Sequence, residues 1–292
     1  MAEKSILSKA DAWLFARLKE IVRQIYKQRY LLGGRIPHTK GYLEYHHDFI
    51  RSVLQDSNIL QRFRGNEQLP PGYGYRLDER AVEIPWVIVR LNARPTLLLD
   101  AGSALNFEFI LKLDLLSNKT IVIYTLAPEH TLPHPNVSYI YGDLRNTILR
   151  DHLFDEIVCI STLEHIGMDN TLVYTQDQRY KEARFWDYQD VLREFQRLLV
   201  PGGRLFLTVP YGKYQSCGWM QQFDRARLND AIRIFDGKLE DQAFYRYTPE
   251  GWILSNADEC AECEYFDFYA RSGFDPDYAT AARAVACVVL SR

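Results

Sequence analysis

This 292-residue chain has no excess of charge of either sign. Its 35 Lys and Arg against 38 Asp and Glu leave a net charge of -3, which gives no bulk attraction to nucleic acid or to an anionic membrane. It has no apolar run near the roughly 20 residues that a bilayer span requires. The opening residues, Met1-Ala2-Glu3-Lys4-Ser5, lack the basic-then-apolar pattern of a secretory leader. A cytoplasmic protein with no membrane span is expected. Cysteines are few and odd in number, five in all, in a chain long enough to fold without disulfide staples. Cys159 and Cys287 lie in apolar, strand-like runs. Cys260 and Cys263 form one C-x-x-C with no second pair or Cys/His cluster, short of the four ligands of a structural zinc. No metal is expected. Internal repeats and low-complexity tracts are also missing. What is plentiful is apolar side chain, 47%, the share of a globular protein with a sizeable core.

The residues that are present alternate between strand and helix patterns. Leu97-Leu98-Leu99 is too apolar for a half-exposed strand and suits the centre of a parallel sheet covered on both faces. Asp100-Ala101-Gly102-Ser103 follows as a turn, and Phe107 to Leu113 reads as the opening of a helix. Ligands of open parallel sheets bind at such strand tips, against helix N-termini. Gly102 is expected to let a ligand approach the backbone, with Asp100 facing it. Further strands are read at 119–125, 137–141, 156–160 and 204–209, and a helix at 188–199. This rhythm predicts a doubly wound α/β sheet. Near the C-terminus, 229–235 reads as helix, while 245–247, 262–268 and 284–290 read as strand pieces without helices between them. An antiparallel addition at one sheet edge accounts for them.

The N-terminal part reads as helical. Ser8 to Tyr30 carries Trp13, Leu14, Leu18, Ile21, Val22 and Ile25 on one face, with Arg17, Lys19, Arg23, Lys27 and Arg29 over much of the rest. The basic face is either simply solvated or part of a helix that docks a partner subunit or a second copy. Tyr42 to Phe63 is a second helix, and 77–88 is a helical approach to the first strand. Arg80, Glu83 and Trp86 share one face there, as an ordinary amphipathic helix or as a wall of the ligand pocket. The expected division is a helical segment at 1–76 and the sheet domain at 77–292.

The series Leu98-Leu99-Asp100-Ala101-Gly102, Gly142-Asp143-Leu144, Phe154-Asp155-Glu156-Ile157-Val158, Leu163-Glu164-His165-Ile166 and Leu198-Leu199-Val200-Pro201-Gly202-Gly203 resembles the class I S-adenosylmethionine-dependent methyltransferases in order and spacing. Each motif alone is weak, and the five in sequence, spanning about 80–292, are specific. The strand-four loop and Leu207-Thr208-Val209-Pro210-Tyr211-Gly212 are most similar to methyltransferases of small molecules and glycans. The resemblance implies a Rossmann-like sheet of seven strands, mostly parallel with an antiparallel last strand, and S-adenosyl-L-methionine as cofactor. It implies that Asp100, Ala101, Gly102 and Ser103 hold the methionine and ribose portions, with Arg80 beside them. Gly142, Asp143 and Leu144 would flank the adenine, Ser161 and Thr162 would lie beneath the sulfonium, and Glu164 would orient the His165 imidazole or contact the cofactor. Two features depart from the family pattern. Ala104 and Asn106 stand where glycines are usual, although Asn tolerates positive φ. The acidic residue expected at the end of strand two is missing, with Thr125 near its place and Glu129 four residues on.

Methyl transfer needs alignment and exclusion of water. An oxygen acceptor also needs a base, for which His165 is the first candidate and Asp169 the second. A structural hydrogen bond within its loop is the competing account of His165. The acceptor, a small polar molecule or a saccharide, is expected among loop residues Tyr174, Tyr211, Lys213 and Tyr214. Their aromatic faces suit sugar C–H groups, and packing of long loops is the other explanation. A nucleic-acid substrate is not expected, since no Asn/Asp-Pro-Pro-aromatic motif follows strand four. A non-catalytic scaffold of the same fold is the alternative function.

Overall fold

The computed structural model describes the backbone of residues 9–292 and the side chains of residue 14 and residues 17–292. The expected helix start at Ser8, the reading of residues 1–5 and the Trp13 side chain lie outside the described residues.

Four helices come first: α1 (Lys9–Leu32), α2 (Tyr42–Gln55), α3 (Ser57–Arg64) and α4 (Arg80–Ile88). The single helix expected over 42–63 is broken at Asp56. Its extended backbone ends α2, and its carboxylate accepts the N–H groups of Asn58 and Ile59 at 2.9 and 3.2 Å, which caps α3. In α4, Pro85 has no N–H for the carbonyl of Ala81. The Tyr73 hydroxyl donates to that carbonyl at 2.6 Å instead, so the buried helix keeps its accounts balanced.

The sheet domain then runs β1 (Leu97–Ala101), α5 (Glu108–Leu111), α6 (Asp114–Ser117), β2 (Thr120–Thr125), β3 (Val137–Tyr141), β4 (Phe154–Ile160), α7 (Tyr188–Leu198) and β5 (Leu199–Pro210). A short hairpin, β6 (Gln215–Ser216) and β7 (Gln221–Gln222), precedes α8 (Arg225–Phe235), β8 (Lys238–Thr248), β9 (Gly251–Ser255), α9 (Ala257–Cys260) and β10 (Ala284–Ser291). The main sheet has the order β3-β2-β1-β4-β5-β10-β8-β9. The first five strands are parallel, and β10, β8 and β9 continue antiparallel.

The antiparallel last strand is where it was expected, but the sheet has eight strands rather than seven. The extra edge strand, β9, is short and opens on Gly251, and it carries no pattern that separates it from a turn. The expected strand at 262–268 is loop that leads into a 3₁₀ turn at Phe268–Ala270. The helix after β1 is two four-residue pieces.

Alternate strand residues feed two cores, as the pleat requires. Leu98, Ile121, Val158 and Phe206 meet the N-terminal helices through Val53, Val82 and Trp86. Leu99, Ile157, Cys159 and Leu205 meet α7 and α8 through Val191, Phe195 and Leu228. Strand order reverses between β1 and β4, and the crevice this leaves lies at the carboxyl ends of the strands.

Candidate functional site

The crevice begins with the turn after β1. Gly102 has φ +105° and Ser103 φ +66°, a reversal that only the glycine adopts freely. The Asp100 carboxylate, buried at the strand end, accepts the N–H groups of Ala104 and Leu105 at 3.1 and 2.8 Å. Burial pushes its pKa up to about 7 against the pull of those two donors.

At the tip of β4, Ser161 holds φ +37°, a strained backbone for a residue with a side chain. Two contacts fix it there. Its N–H donates to the Thr208 carbonyl at 3.1 Å, and its hydroxyl donates to Glu83 Oε1 at 2.7 Å. The second Glu83 oxygen takes the Arg80 guanidinium. Burial works against the charge on Arg80, but the carboxylates of Glu83, Glu79 and Glu164 keep its pKa raised. Thus α4 is tied to the β4 tip by a chain from Arg80 through Glu83 to Ser161.

A 3₁₀ turn follows at Leu163–His165. Glu164 is buried, its Oε2 has no hydrogen-bond partner among the described residues, and burial pushes its pKa well above the carboxylate range. The His165 ring stacks on Trp219 with centroids 5.4 Å apart and meets the edge of Tyr174 at 5.1 Å. Its Nδ1 lies 3.1 Å from the Trp219 carbonyl. This assigns the proton to Nδ1 and leaves Nε2 as acceptor, 3.8 Å from Glu164 Oε1. Burial lowers the His165 pKa to about 4, so the ring is neutral near pH 7.

These tips enclose a cavity of about 270 Å³. Its floor is Gly102, Ser103, Thr125, Gly142, Asp143, Leu144, Ser161 and Thr162, with His165 at one side. Its roof is His46, His47 and Ile50 from α2 with Arg80 and Ile84 from α4, and Tyr174 and Tyr180 close it from the loop after β4.

Residues 106–207 match the family profile described as a methyltransferase domain. No curated protein matches the sequence. Among solved structures, the N-methyltransferase NodS from Bradyrhizobium japonicum WM9, in complex with S-adenosyl-L-homocysteine, is 13% identical over 74% of this chain and 88% of its own, with a TM-score of 0.42. The Burkholderia thailandensis 1,6-didemethyltoxoflavin-N1-methyltransferase is 12% identical over 95% of this chain and 89% of its own, with a TM-score of 0.41. An S-adenosylmethionine-dependent methyltransferase from Methanosarcina mazei is 11% identical over 70% and 96%, at 0.41.

The cavity brings together most of the residues read from the motifs. Arg80, Gly102, Ser103, Thr125, Gly142, Asp143, Leu144, Ser161, Thr162, His165 and Tyr174 all border the cavity. Others do not. Asp100 and Ala101 lie behind the turn, where Asp100 clamps the backbone rather than facing a ligand. A side chain at Gly102 would run into Thr162, so this glycine makes room for the neighbouring strand tip, not only for a ligand. The Asn106 amide is spent on Glu129, the His130 carbonyl and the Tyr139 hydroxyl, on the outer shoulder of the turn. Glu164 is packed behind the cavity wall. Asp169 bonds Thr171 within its own turn.

The expected acceptor loop after β5 folds away from the cavity. Tyr211 is fully buried against Phe244 at 4.9 Å. Lys213 is exposed and pairs with Glu264 at 3.3 Å. Tyr214 lies under the Arg227 guanidinium at 3.5 Å. The Gln222 amide holds this loop to Lys213 and Cys263 by donating to both carbonyls at 2.8 Å.

Among the cavity residues not read from the sequence are Arg145, His46 and His47. Arg145 grips the Asp143 carboxylate through Nε at 3.0 Å and Nη2 at 2.6 Å, and also meets Glu182 and Asp187. Burial works to raise the Asp143 pKa, but Arg145 outweighs it and holds the carboxyl below its usual value. His46 and His47 come from α2. His46 Nε2 lies 3.0 Å from Asp78 Oδ1, and the Tyr42 hydroxyl donates to Asp78 Oδ2 at 2.7 Å. Burial would raise the Asp78 pKa, but His46, Tyr42 and Arg80 keep the carboxyl ionised, well below its ordinary range. A signal for His46 was available: it falls on the same helical stripe as Ile50, Val53 and Leu54, so its ring had to be buried.

Proposed function

We propose that this cavity binds S-adenosylmethionine and that the protein methylates oxygen of a small polar or saccharide acceptor. The observation that carries the reading is the meeting of Gly102–Ser103, Asp143–Leu144 and Ser161–Thr162 on one cavity, roofed by side chains of α2 and α4. The donor set fits the cofactor. An ionised Asp143 suits the adenine amine, the Arg80 guanidinium suits the methionine carboxylate, and the Ser103 and Thr125 hydroxyls stand in for the missing ribose carboxylate. When bound, the cofactor supplies an electrophilic methyl group on sulfur.

The chain's own residues then align and desolvate. Ile84, Tyr174 and Tyr180 exclude water from the reacting end. Of the proposed division at 1–76 and 77–292, the first part gives the roof α2 and the second gives it α4. His165, with a pKa of about 4, is too weak a base to take a hydroxyl proton efficiently. It serves as a neutral acceptor at Nε2 that orients the hydroxyl. His46 is the candidate proton acceptor: its ring borders the cavity, and its Nε2, although 3.0 Å from Asp78 Oδ1, makes no hydrogen bond among the described residues. The ionised Asp78 carboxylate beside it would favour the imidazolium formed when the proton is taken.

A second reading, a non-catalytic scaffold, is favoured by one observation: the Asp143 carboxylate is already engaged by Arg145. Titration calorimetry with S-adenosylmethionine separates the two. Micromolar binding, followed by transfer of a labelled methyl group to one of a panel of polyols, glycosides and phenols, is expected. No heat at millimolar ligand overturns the enzyme reading in favour of the scaffold.

A further inference from the structure

Among the described residues, helix α1 is fastened to the body along the side that carries Arg23, Lys27 and Tyr30. Arg23 and Lys27 each meet Asp48 at 2.7 Å, and Tyr30 packs against Tyr42 and Tyr45 at 5.9 and 5.5 Å. On its other side Leu14, Leu18, Ile21 and Ile25 are 52, 51, 50 and 46% exposed, and Leu32 is 87% exposed. Their spacing is four, three, four and then seven residues. Leu18, Ile25 and Leu32 recur every seven residues, and so do Leu14, Ile21 and Gln28, the heptad of a two-helix seam, with Val22, 43% exposed, on its flank.

We propose that this seam pairs in parallel with the same seam of a second copy, making the protein a homodimer through a two-stranded coiled coil. Leu18, Ile25 and Leu32 form one set of layers and Leu14, Ile21 and Gln28 the other. Gln28 decides the direction. In parallel register it lies beside Gln28 of the second copy, where two amides satisfy each other. In antiparallel register it lies against Leu18 and is buried without a partner. The flanks agree, since parallel pairing sets Arg17 beside Val22 and Gln24 beside Arg29, with no like charges opposed. From Leu14 to Leu32 the seam is about 27 Å long. Two copies would bury on the order of 1,000 Å², at the lower end of specific interfaces. A dimer of micromolar strength follows. The proposal does not depend on what the cavity binds.

Sedimentation velocity of the full chain from about 1 to about 100 µM, the range such an interface calls for, tests it. A concentration-dependent shift from monomer to dimer is expected. The double variant I21E/I25E is expected to stay monomeric throughout, with an unchanged circular dichroism spectrum and melting temperature. Gln28→Leu should tighten the dimer about tenfold or more. Leu14→Cys should give a disulfide-linked dimer in oxidised glutathione, which an antiparallel pair would not. A wild type that is monomeric at every concentration overturns the proposal, and so does a dimer that survives I21E/I25E. A monomer that floats with vesicles containing phosphatidylserine overturns it too, and reassigns the face to an anionic lipid surface.

Discussion

The two ends of the sheet bury charge in opposite ways. At the amino ends of the strands, Lys119 and Glu156 are both fully buried and 2.8 Å apart. Glu156 also accepts the Asn92 N–H and the Thr96 hydroxyl at 2.7 Å each, and the Lys119 ammonium also donates to the Asn92 carbonyl at 2.6 Å. Each buried charge is answered. At the carboxyl ends, Glu164 is equally hidden with one oxygen unanswered, the buried His46 ring on the cavity wall has an Nε2 without a hydrogen-bond partner among the described residues, and Ser161 holds a strained backbone. One end is finished as a structural cluster. The other is left with capacity for a ligand.

The largest effect should come from spoiling the finished end. Lys119→Ala leaves the buried Glu156 charge with only the Arg204 guanidinium, 3.6 Å away, and is expected to cost about 3 kcal/mol in urea unfolding. The double variant Lys119→Met with Glu156→Leu should recover most of that, because an apolar pair of similar size replaces the whole cluster. At the other end, His46→Gln should lower kcat about 10²-fold or more with the acceptor identified by methyl transfer. Asp78→Asn should lower it less and shift the pH profile, the mark of a residue that acts through His46.

Gly102→Ala adds a side chain at φ +105° and against Thr162. About 2–3 kcal/mol of stability and at least tenfold in S-adenosylhomocysteine affinity should be lost, read by calorimetry. The smallest effect is the most diagnostic. Burial raises the folded pKa of Glu164 above its unfolded value. The stability this proton brings is therefore fully present below the unfolded carboxyl range, near pH 4, and is lost as pH rises. Glu164→Gln should raise the melting temperature by a few degrees at pH 8 and leave it unchanged at pH 4. An equal rise at both would mean that Glu164 is not buried as an acid.

The sheet was legible because burial on two faces leaves an unmistakable apolar run, as in Leu97-Leu98-Leu99. The strand tips were legible because Gly102, Asp143 and Ser161 follow such runs at once. The roof was not legible. His46 reaches the cavity only because α2 docks over the β1 turn, and nothing local to α2 says where it will dock. The loop after β5 misled for the same reason. Tyr211, Lys213 and Tyr214 have the composition of a binding loop, but the β6–β7 hairpin and the Gln222 amide turn them toward 257–264. Asp100 was misassigned because a carboxylate at a strand tip can face a ligand or its own backbone, and the sequence reads alike for both.

The carbonyl left free by Pro85 links distant parts of the molecule. Tyr73 fills it through its hydroxyl, and its own carbonyl accepts the N–H of Trp252 at 2.7 Å. The Trp252 indole donates to Leu77 at 2.9 Å, immediately before Asp78 and Arg80. The outermost strand of the antiparallel extension is thus a brace for the helix that roofs the cavity. Damage at that remote edge would be felt first as a slackened grip on whatever lies beneath Arg80.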